Sequence, residues 1–567
     1  MTEIKKNSRK KSDLTKLVLS IAIIVLCNYL GSFAFHRFDL TSEKRYTLSQ
    51  ASKNVARDLK GTAFFKVYLG GKLTEPGFVR LRDAIKEILD EYKAYSDNKV
   101  EYEFIDPSSI NPSDPKAVYR QLYEAGLEPY FSQTKDQSAT SEQVIWPGAI
   151  VTYKGRDMAI NAFQTQYDAS PEAQLNSSVE ALEYNIDNAI HKIDLKSKPV
   201  VAILQGHGEP DSLHLAGAIK ALSEYYDVRL LPINHYLNGL SICQALIVAK
   251  PTEPIDDKDA YVIDQFIMRG GKVLWLLDEL YTPMDSLKRN GITMAFPAQL
   301  NLDDQLFRYG VRINNNVIMD MQSSGIPLNT AAPGEQPRFQ IFPWVFEPLI
   351  SNNNSENPIV RNLNMIEFNV ASTLDTIAQP GIKKTILLRT SKFTRLLNAP
   401  ARISVDMARM QPEAKLFNQP YQPVAVMLEG KFTSAFKDRI TLSPDTLKLL
   451  GYKPDGVKTS MIVVSDGDVI INNVKHSEKF AYPLGYDIYT NQQFGNKDFI
   501  VNCMNYLCGD SALLTVRTKH LQLRLLDTAK AQNYKTQWQM INMLIPIGLI
   551  MLLGLVIAVV RRQKYAS

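Results

Sequence analysis

Residues 200–211 read VVAILQGHGEPD. Five apolar residues without a polar partner in alternation describe a strand buried on both faces, and such strands belong to parallel sheets covered by helices. The loop Gln205-Gly206-His207-Gly208-Glu209-Pro210-Asp211 leads into a helical pattern over about 213–225. The unit then repeats. Residues 228–231 and 245–249 read as strands, 259–268 as a helix stopped by Gly270-Gly271, and 273–277 as a strand ending on Asp278. Strand and helix in alternation predict a doubly wound parallel α/β sheet. Residues 425–429 and 461–464 return to strand character, the latter running into Ser465-Asp466-Gly467-Asp468, with a further strand over 469–471. A last helix is expected over 496–507. Between about 280 and 418 regular patterning lapses and Pro and Asn gather (Pro327, Pro333, Pro337, Asn352, Asn353, Asn354, Pro358), which predicts an irregular insertion. This α/β domain is set at 198–510.

Upstream, residues 40–195 form a separate α/β unit. A strand at 64–69, a helix with apolar residues at Leu81, Ala84, Ile85, Ile88, Leu89 and Tyr92, and an alternating strand at 99–105 make a parallel strand–helix–strand element. A second helix near 116–125 precedes a hairpin, 149–153 and 157–161, turned at Lys154-Gly155-Arg156. Ser170-Pro171-Glu172 starts a long helix whose apolar residues step by three and four to Ile193. The order is that of a thioredoxin-like fold, but no CxxC stands at the first strand end, so redox chemistry is not expected.

Two runs fall outside this soluble pattern. Residues 17–35 (LVLSIAIIVLCNYLGSFAF) and 541–560 (INMLIPIGLIMLLGLVIAVV) carry no charge, and each is long enough for a transmembrane helix. The tail at 1–16 carries a net +4 and that at 561–567 a net +3, leaving −2 for the rest of a chain whose total is +5. By the positive-inside rule both tails are cytoplasmic and residues 36–540 lie across the membrane, in the periplasm of an inner-membrane protein. Residues 511–540 read as a polar stalk helix. The alternative for the first run is a cleaved signal peptide ending near Ser32-Phe33-Ala34. The basic balance is thereby a topology signal, and nucleic-acid binding loses its support.

The chemistry-bearing candidates sit at strand ends. His207, Glu209 and Asp211 follow the first strand of the larger sheet, Asp278 ends another, and Asp466 and Asp468 follow a third, where ligands bind in open α/β sheets. A loop at such a place serves as a ligand or partner contact. Against a phosphate site, GxGxxG is absent and Glu209 directly follows Gly208. Asp466-Gly467-Asp468 reads first as turn chemistry, although two close carboxylates can hold a cation. No GxSxG, amidotransferase-type nucleophile elbow, Walker A, HExxH or paired CxxC occurs, so no catalytic set, cofactor or metal is called for. Cys243, Cys503 and Cys508 read as buried thiols, with one bridge open in an oxidising compartment.

The basic tail and anchor, LQGHGEPD, SDGDVI at 465–470, and the run from Pro483-Leu484-Gly485-Tyr486 to Asn505-Tyr506-Leu507-Cys508-Gly509-Asp510 together resemble the GldG family, the ABC-transporter auxiliary proteins of gliding bacteria. That resemblance spans nearly the whole chain. It implies a permease partner (GldF-like), through it a cytoplasmic ATPase (GldA-like), and a role in gliding motility and its associated secretion machinery. It also implies that the larger sheet is amidotransferase-like in fold. The expected function is therefore a non-enzymatic accessory subunit of an ABC-type membrane complex, the alternative a membrane-tethered solute- or glycan-binding protein.

Overall fold

The computed structural model describes residues 17–26, 47–136, 139–165, 170–194, 197–332, 334–351, 357–361, 363–410, 412–437, 439, 451–509 and 534–565. The protein is a mixed α/β molecule with one long apolar helix near the C-terminal end.

After a first helix, α1 (Gln50–Asp58), the chain forms a four-stranded mixed sheet. β1 (Ala63–Val67) is joined by α2 (Pro76–Tyr95) to the parallel strand β2 (Val100–Phe104). α3 (Pro115–Glu124) precedes a hairpin that the sequence did not announce, β3 (Tyr130–Asp136) with β4 (Ala139–Ile145). β5 (Gly148–Tyr153) and β6 (Arg156–Asn161) complete the sheet in the order β2-β1-β5-β6, with β5 antiparallel to both neighbours. α2 and the 24-residue helix α4 (Pro171–Asp194) cover it. Their apolar spacing is why: Leu81, Ile85 and Leu89 of α2 and Leu182, Ile186, Ile190 and Ile193 of α4 all enter one buried cluster with Phe65 and Val151 of the sheet. A polar knot holds α1, α2 and α4 together. The Ser52 hydroxyl lies 2.6 Å from both the Glu183 and Asp187 carboxyls, and the Tyr92 hydroxyl is 2.5 Å from the other oxygen of Asp187.

The larger sheet begins with β7 (Val200–Gln205), α5 (Ala216–Ser223) and β8 (Asp227–Pro232). The chain then passes to the other side of β7 for β9 (Ala245–Ala249), α6 (Asp257–Met268) and β10 (Lys272–Leu276). The segment expected to be irregular holds α7 (Asp303–Tyr309), paired strands such as Asn316–Asp320 with Thr394–Asn398, and the bulged hairpin β11 (Ser323–Asn329) with β12 (Phe339–Ile350). Short β13 (Ile366–Glu367) pairs with β12. The same segment also supplies a full strand of the main sheet, β14 (Ile382–Arg389), before β15 (Pro423–Thr433), β16 (Asp455–Val464) and α8 (Asn496–Leu507).

The seven-stranded order is β14-β15-β16-β10-β9-β7-β8. Five strands are mutually parallel, from β16 to β8, while β15 is antiparallel to both its neighbours. An all-parallel sheet was expected, and the single reversed strand β15, with its two antiparallel pairings, corrects it. Both faces are buried, which explains the unbroken apolar runs: Leu274 and Leu276 of β10 enter the cluster under α5 and α8, while Val273 and Trp275 enter the one under α6. The strand expected at 469–471 is instead a 3-10 turn, Asp468–Ile470, because the backbone is drawn into the strand-end cluster described below.

The helix α9 (Lys535–Tyr565) takes in the end of the expected stalk and the second apolar run. Its portion Lys535–Val560 is long and apolar enough to cross a membrane, an 18-residue stretch within it having mean hydropathy 2.9. Of the first apolar run, Leu17–Leu26 is helical and residues 27–35 lie outside the described residues. Most of the stalk, 511–533, does too.

Candidate functional site at the carboxyl ends of the parallel strands

Because β7, β9, β10 and β16 run in one direction, the loops after them share one edge of the sheet. There the structure sorts five of the six predicted site residues into two clusters rather than one cleft and leaves Asp211 apart.

The first is built on the loop after β7. His207, 7% exposed, is held on both sides: its Nδ1 lies 3.3 Å from Glu209 Oε1 and its Nε2 3.2 Å from Asp259 Oδ2. Its backbone N–H donates to Glu209 Oε2 at 2.6 Å. Asp259 also accepts from the backbone N–H of His235 and lies 3.1 Å from its ring. Asp256, the N-cap of α6, is 3.4 Å from that ring. The His207 carbonyl accepts from the N–H groups of both Thr252 and Glu253, so the loops after β7 and β9 are closed on each other. The Glu209 carboxylate, against the opposing effect of burial, raises the His207 pKa. This histidine is thus a clasp between loops, with its ring nitrogens already engaged. Asp211 stands apart, accepting from the N–H groups of Leu213 and His214 at the entry to α5.

The second cluster lies at the ends of β9, β10 and β16. Lys250, the first residue after β9, puts its ammonium 3.1 Å from Asp278 and 2.5 Å from Asp468. Sequence reasoning missed this lysine. Asp278 Oδ1 accepts from the Gly467 N–H at 2.5 Å, and Asp466 accepts from the N–H groups of Asp468 (2.7 Å) and Asn369 (2.6 Å). Asp278, Asp466 and Asp468 each offer an oxygen within 4.8 Å of the others. Gly467 makes the approach possible, since a Cβ there would stand 2.5 Å from Lys250 Cβ. Lys250 itself has φ 46°, in the left-handed region that non-glycine residues rarely occupy. The expected Asp-Gly strand turn is thereby corrected to a loop wrapped around a half-buried ion pair.

Burial, reinforced by Asp468 and Asp278, pushes the Asp466 carboxyl well above the usual carboxylate range. Burial also raises Asp468, with Lys250 opposing. For Lys250, burial works downward but the surrounding carboxylates more than offset it, so the ammonium is held charged. Two glutamates from the middle segment stand beside this cluster. Burial, with Asp487 adding to it, pushes Glu367 up to about 8, and burial, with Glu367, Asp487 and Asp468 adding to it, raises Glu347 well above its ordinary value. No motif in the sequence marked either one. Their signal would have been two acids, twenty residues apart, within otherwise apolar strand ends.

A family model described as "ABC-type uncharacterized transport system" matches residues 198–503, just over half of the chain, and so spans both clusters. A second, described as a domain of unknown function, matches residues 42–152. An uncharacterized protein of Borreliella burgdorferi is 22% identical over 568 residues, covering 96% of this chain and 98% of that one. Among solved structures, the mmIFT52 N-terminal domain is similar with a TM-score of 0.31 and 13% identity, covering 57% of this chain and 100% of that one. The exo-β-1,4-mannosidase Op5Man5 from Opitutaceae bacterium strain TAV5 reaches 0.21 and 12%, covering 70% and 46%. Scores this low carry no argument about fold or activity.

Proposed function

We propose, since this chain belongs to the ABC-type uncharacterized transport system family of auxiliary proteins, that it is a non-enzymatic accessory subunit contacting an ABC permease through membrane anchors and exported domains. The observation that carries the reading is the conjunction, in one chain, of the family match over 198–503 with a helix long enough to cross a membrane. In this reading the anchors are residues 17–35 and 541–560, both tails are cytoplasmic, and a thioredoxin-like domain at 40–195 and an amidotransferase-like domain at 198–510 stand in the periplasm. Movement of the permease, driven by its ATPase, is passed to or sensed by those domains. The resemblance to gliding-motility auxiliary proteins makes a GldF-like permease and a GldA-like ATPase the partners and gliding with its secretion machinery the process. The chemistry of the clusters is consistent with a contact role: the His207 ring is locked between the carboxylates of Glu209 and Asp259.

The test is affinity purification of the intact chain from mild detergent, with identification of what accompanies it. A polytopic permease and a nucleotide-binding subunit are expected, undiminished by Glu209→Ala. Recovery of the chain alone, together with thermal stabilisation by a sugar or other small solute, would replace this reading with that of a tethered binding protein.

A further inference from the structure

We propose that the buried knot between α1, α2 and α4 is a proton-dependent latch: it holds α1 down while one proton is kept between the Glu183 and Asp187 carboxyls, and loosens α1 when that proton leaves. The inference concerns the smaller domain and does not depend on the accessory role.

The knot contains one hydrogen bond more than its neutral donors can make. The Ser52 hydroxyl has a single hydrogen to give, yet its oxygen lies 2.6 Å from Glu183 Oε1, 2.6 Å from Asp187 Oδ2 and 2.8 Å from the Ser49 hydroxyl. Ser49 supplies the hydrogen for the third contact, since its own oxygen accepts from the Ser52 backbone N–H. Of the two short carboxyl contacts, Ser52 can donate to one only. In the other the carboxyl itself must donate. Glu183 Oε1 already accepts from the Ser49 backbone N–H at 2.6 Å, which makes it the acceptor for Ser52 as well. The extra proton is thereby assigned to Asp187 Oδ2, while Asp187 Oδ1 accepts from the Tyr92 hydroxyl at 2.5 Å. Ser52, Tyr92 and Asp187 are fully buried and Glu183 nearly so. Once the proton is lost, two charged carboxylates compete for one hydroxyl at this spacing.

The groups acting on Asp187 come from all three helices: Ser52 of α1, Tyr92 of α2, and Glu183 and His191 of α4. Burial raises the Asp187 carboxyl to about 7 against its hydrogen bonds with Ser52 and Tyr92, with Glu183 adding to the rise and His191 opposing it. The two cations of α1 nearest the knot face elsewhere, Lys53 and Arg57 lying 4.8 and 5.9 Å from the centre of the Tyr95 ring. Inside α1 only Ser52 and Ala56 are buried, with Leu48 and Leu59 flanking the helix in the apolar cluster. A helix with so little apolar area of its own belongs to the segments that open first. It is also the first described helix after the apolar run at 17–35, so its release lengthens the connection between that run and the sheet.

The sign follows from linkage. Asp187 binds its proton more tightly with α1 docked than with α1 free, where the carboxyl returns to its ordinary value of 3.8, so opening becomes easier as pH rises from there and levels off above about 7. Hydrogen exchange of the full chain in detergent, read by mass spectrometry and corrected for the intrinsic exchange rate at each pH, tests this. The amides of α1 should open about tenfold more readily at pH 8 than at pH 6, relative to those of α8, which has no part in the knot. Asp187→Asn keeps an acceptor for Tyr92 and a permanent donor for Ser52, and should make α1 equally protected at both pH values. If Asp187→Asn does not fold, as judged by its melting temperature, Glu183→Gln carries the comparison: it removes the neighbouring charge and should move the step to lower pH. The proposal is overturned if α1 in the wild type opens equally at pH 6 and pH 8, if the step persists in Asp187→Asn, or if Glu183→Gln leaves it where it was.

Discussion

At position 467 a single methyl group decides whether a loop can close. Gly467 has φ −81°, a conformation open to any residue, so the demand is for space alone: an added Cβ would meet Lys250 Cβ at 2.5 Å and Cγ at 2.7 Å. Gly467→Ala is therefore expected to destabilise by about 1–3 kcal/mol, the range for overpacking, seen as a lowered denaturation midpoint. Glu367 makes a second demand, on pH. Its carboxyl titrates near 4.5 when unfolded and at about 8 in the fold. The folded protein thus holds an extra proton between these values, and stability falls as pH rises through that window. Glu367→Gln, which cannot ionise, should match the wild type near pH 4.5 and exceed its melting temperature at pH 8.5; parallel curves across the range would refute the burial argument. At this scale the sequence was half legible. Asp278, Asp466 and Asp468 stood out because an acid directly after an apolar strand breaks a pattern. Lys250 did not, since a lysine ending a strand reads as its exit into solvent, and only the pairing of β9 with β10 reveals that it turns inward. Glu347 and Glu367 were hidden by distance along the chain.

Among elements, α6 shows how one buried acid can hold several together. Asp264, fully buried in the middle of α6, accepts from the Tyr309 hydroxyl at the end of α7 (2.8 Å), from the Ser434 hydroxyl (2.7 Å) and from the Ala435 N–H (2.8 Å) just after β15. Asp264→Ala leaves these donors without their acceptor and should cost about 3 kcal/mol or more, whereas Asp264→Asn, which keeps one oxygen, should lose less. Denaturation followed by the fluorescence of Trp275, buried in the cluster under α6, reads the difference. Element types were legible where periodicity was strong: α2 and α4 alternate apolar steps of three and four, and β7, β9 and β10 are short and wholly apolar. The hairpin β3–β4 was not, because YFSQTKD and ATSEQVI are mostly polar and lack a buried face in sequence. β14 was overlooked for a related reason. Its sequence, IKKTILLR, is only half apolar, as befits the edge strand of the seven-stranded sheet, and it lies within a segment whose proline and asparagine content suggested no regular structure.

For the whole molecule, the open matter is how the soluble portion is held to the membrane, and the charges make a definite claim. A 26-residue apolar helical stretch, Lys535–Val560, spans about 39 Å at 1.5 Å per residue, more than the roughly 30 Å of hydrocarbon. Arg561, Arg562 and Lys564 follow it, and six basic residues precede the apolar run at 17–35. If both runs span, as we propose, removal of residues 520–567 leaves a chain that still sediments with membranes and needs detergent for release. Removal of residues 1–36 as well should set it free. A chain released by the first deletion alone would show that the N-terminal run does not hold it. Orientation is read separately. In spheroplasts, a membrane-impermeant thiol reagent should reach Tyr236→Cys, at a position 72% exposed, and should not reach Ser567→Cys until the membrane is opened. Cys243 and Cys503 are buried and give little background, and Cys508→Ser removes the half-buried thiol. Labelling of both positions in intact spheroplasts would break the rule on which the topology rests, because it would put three uncompensated cations on the far side of the membrane.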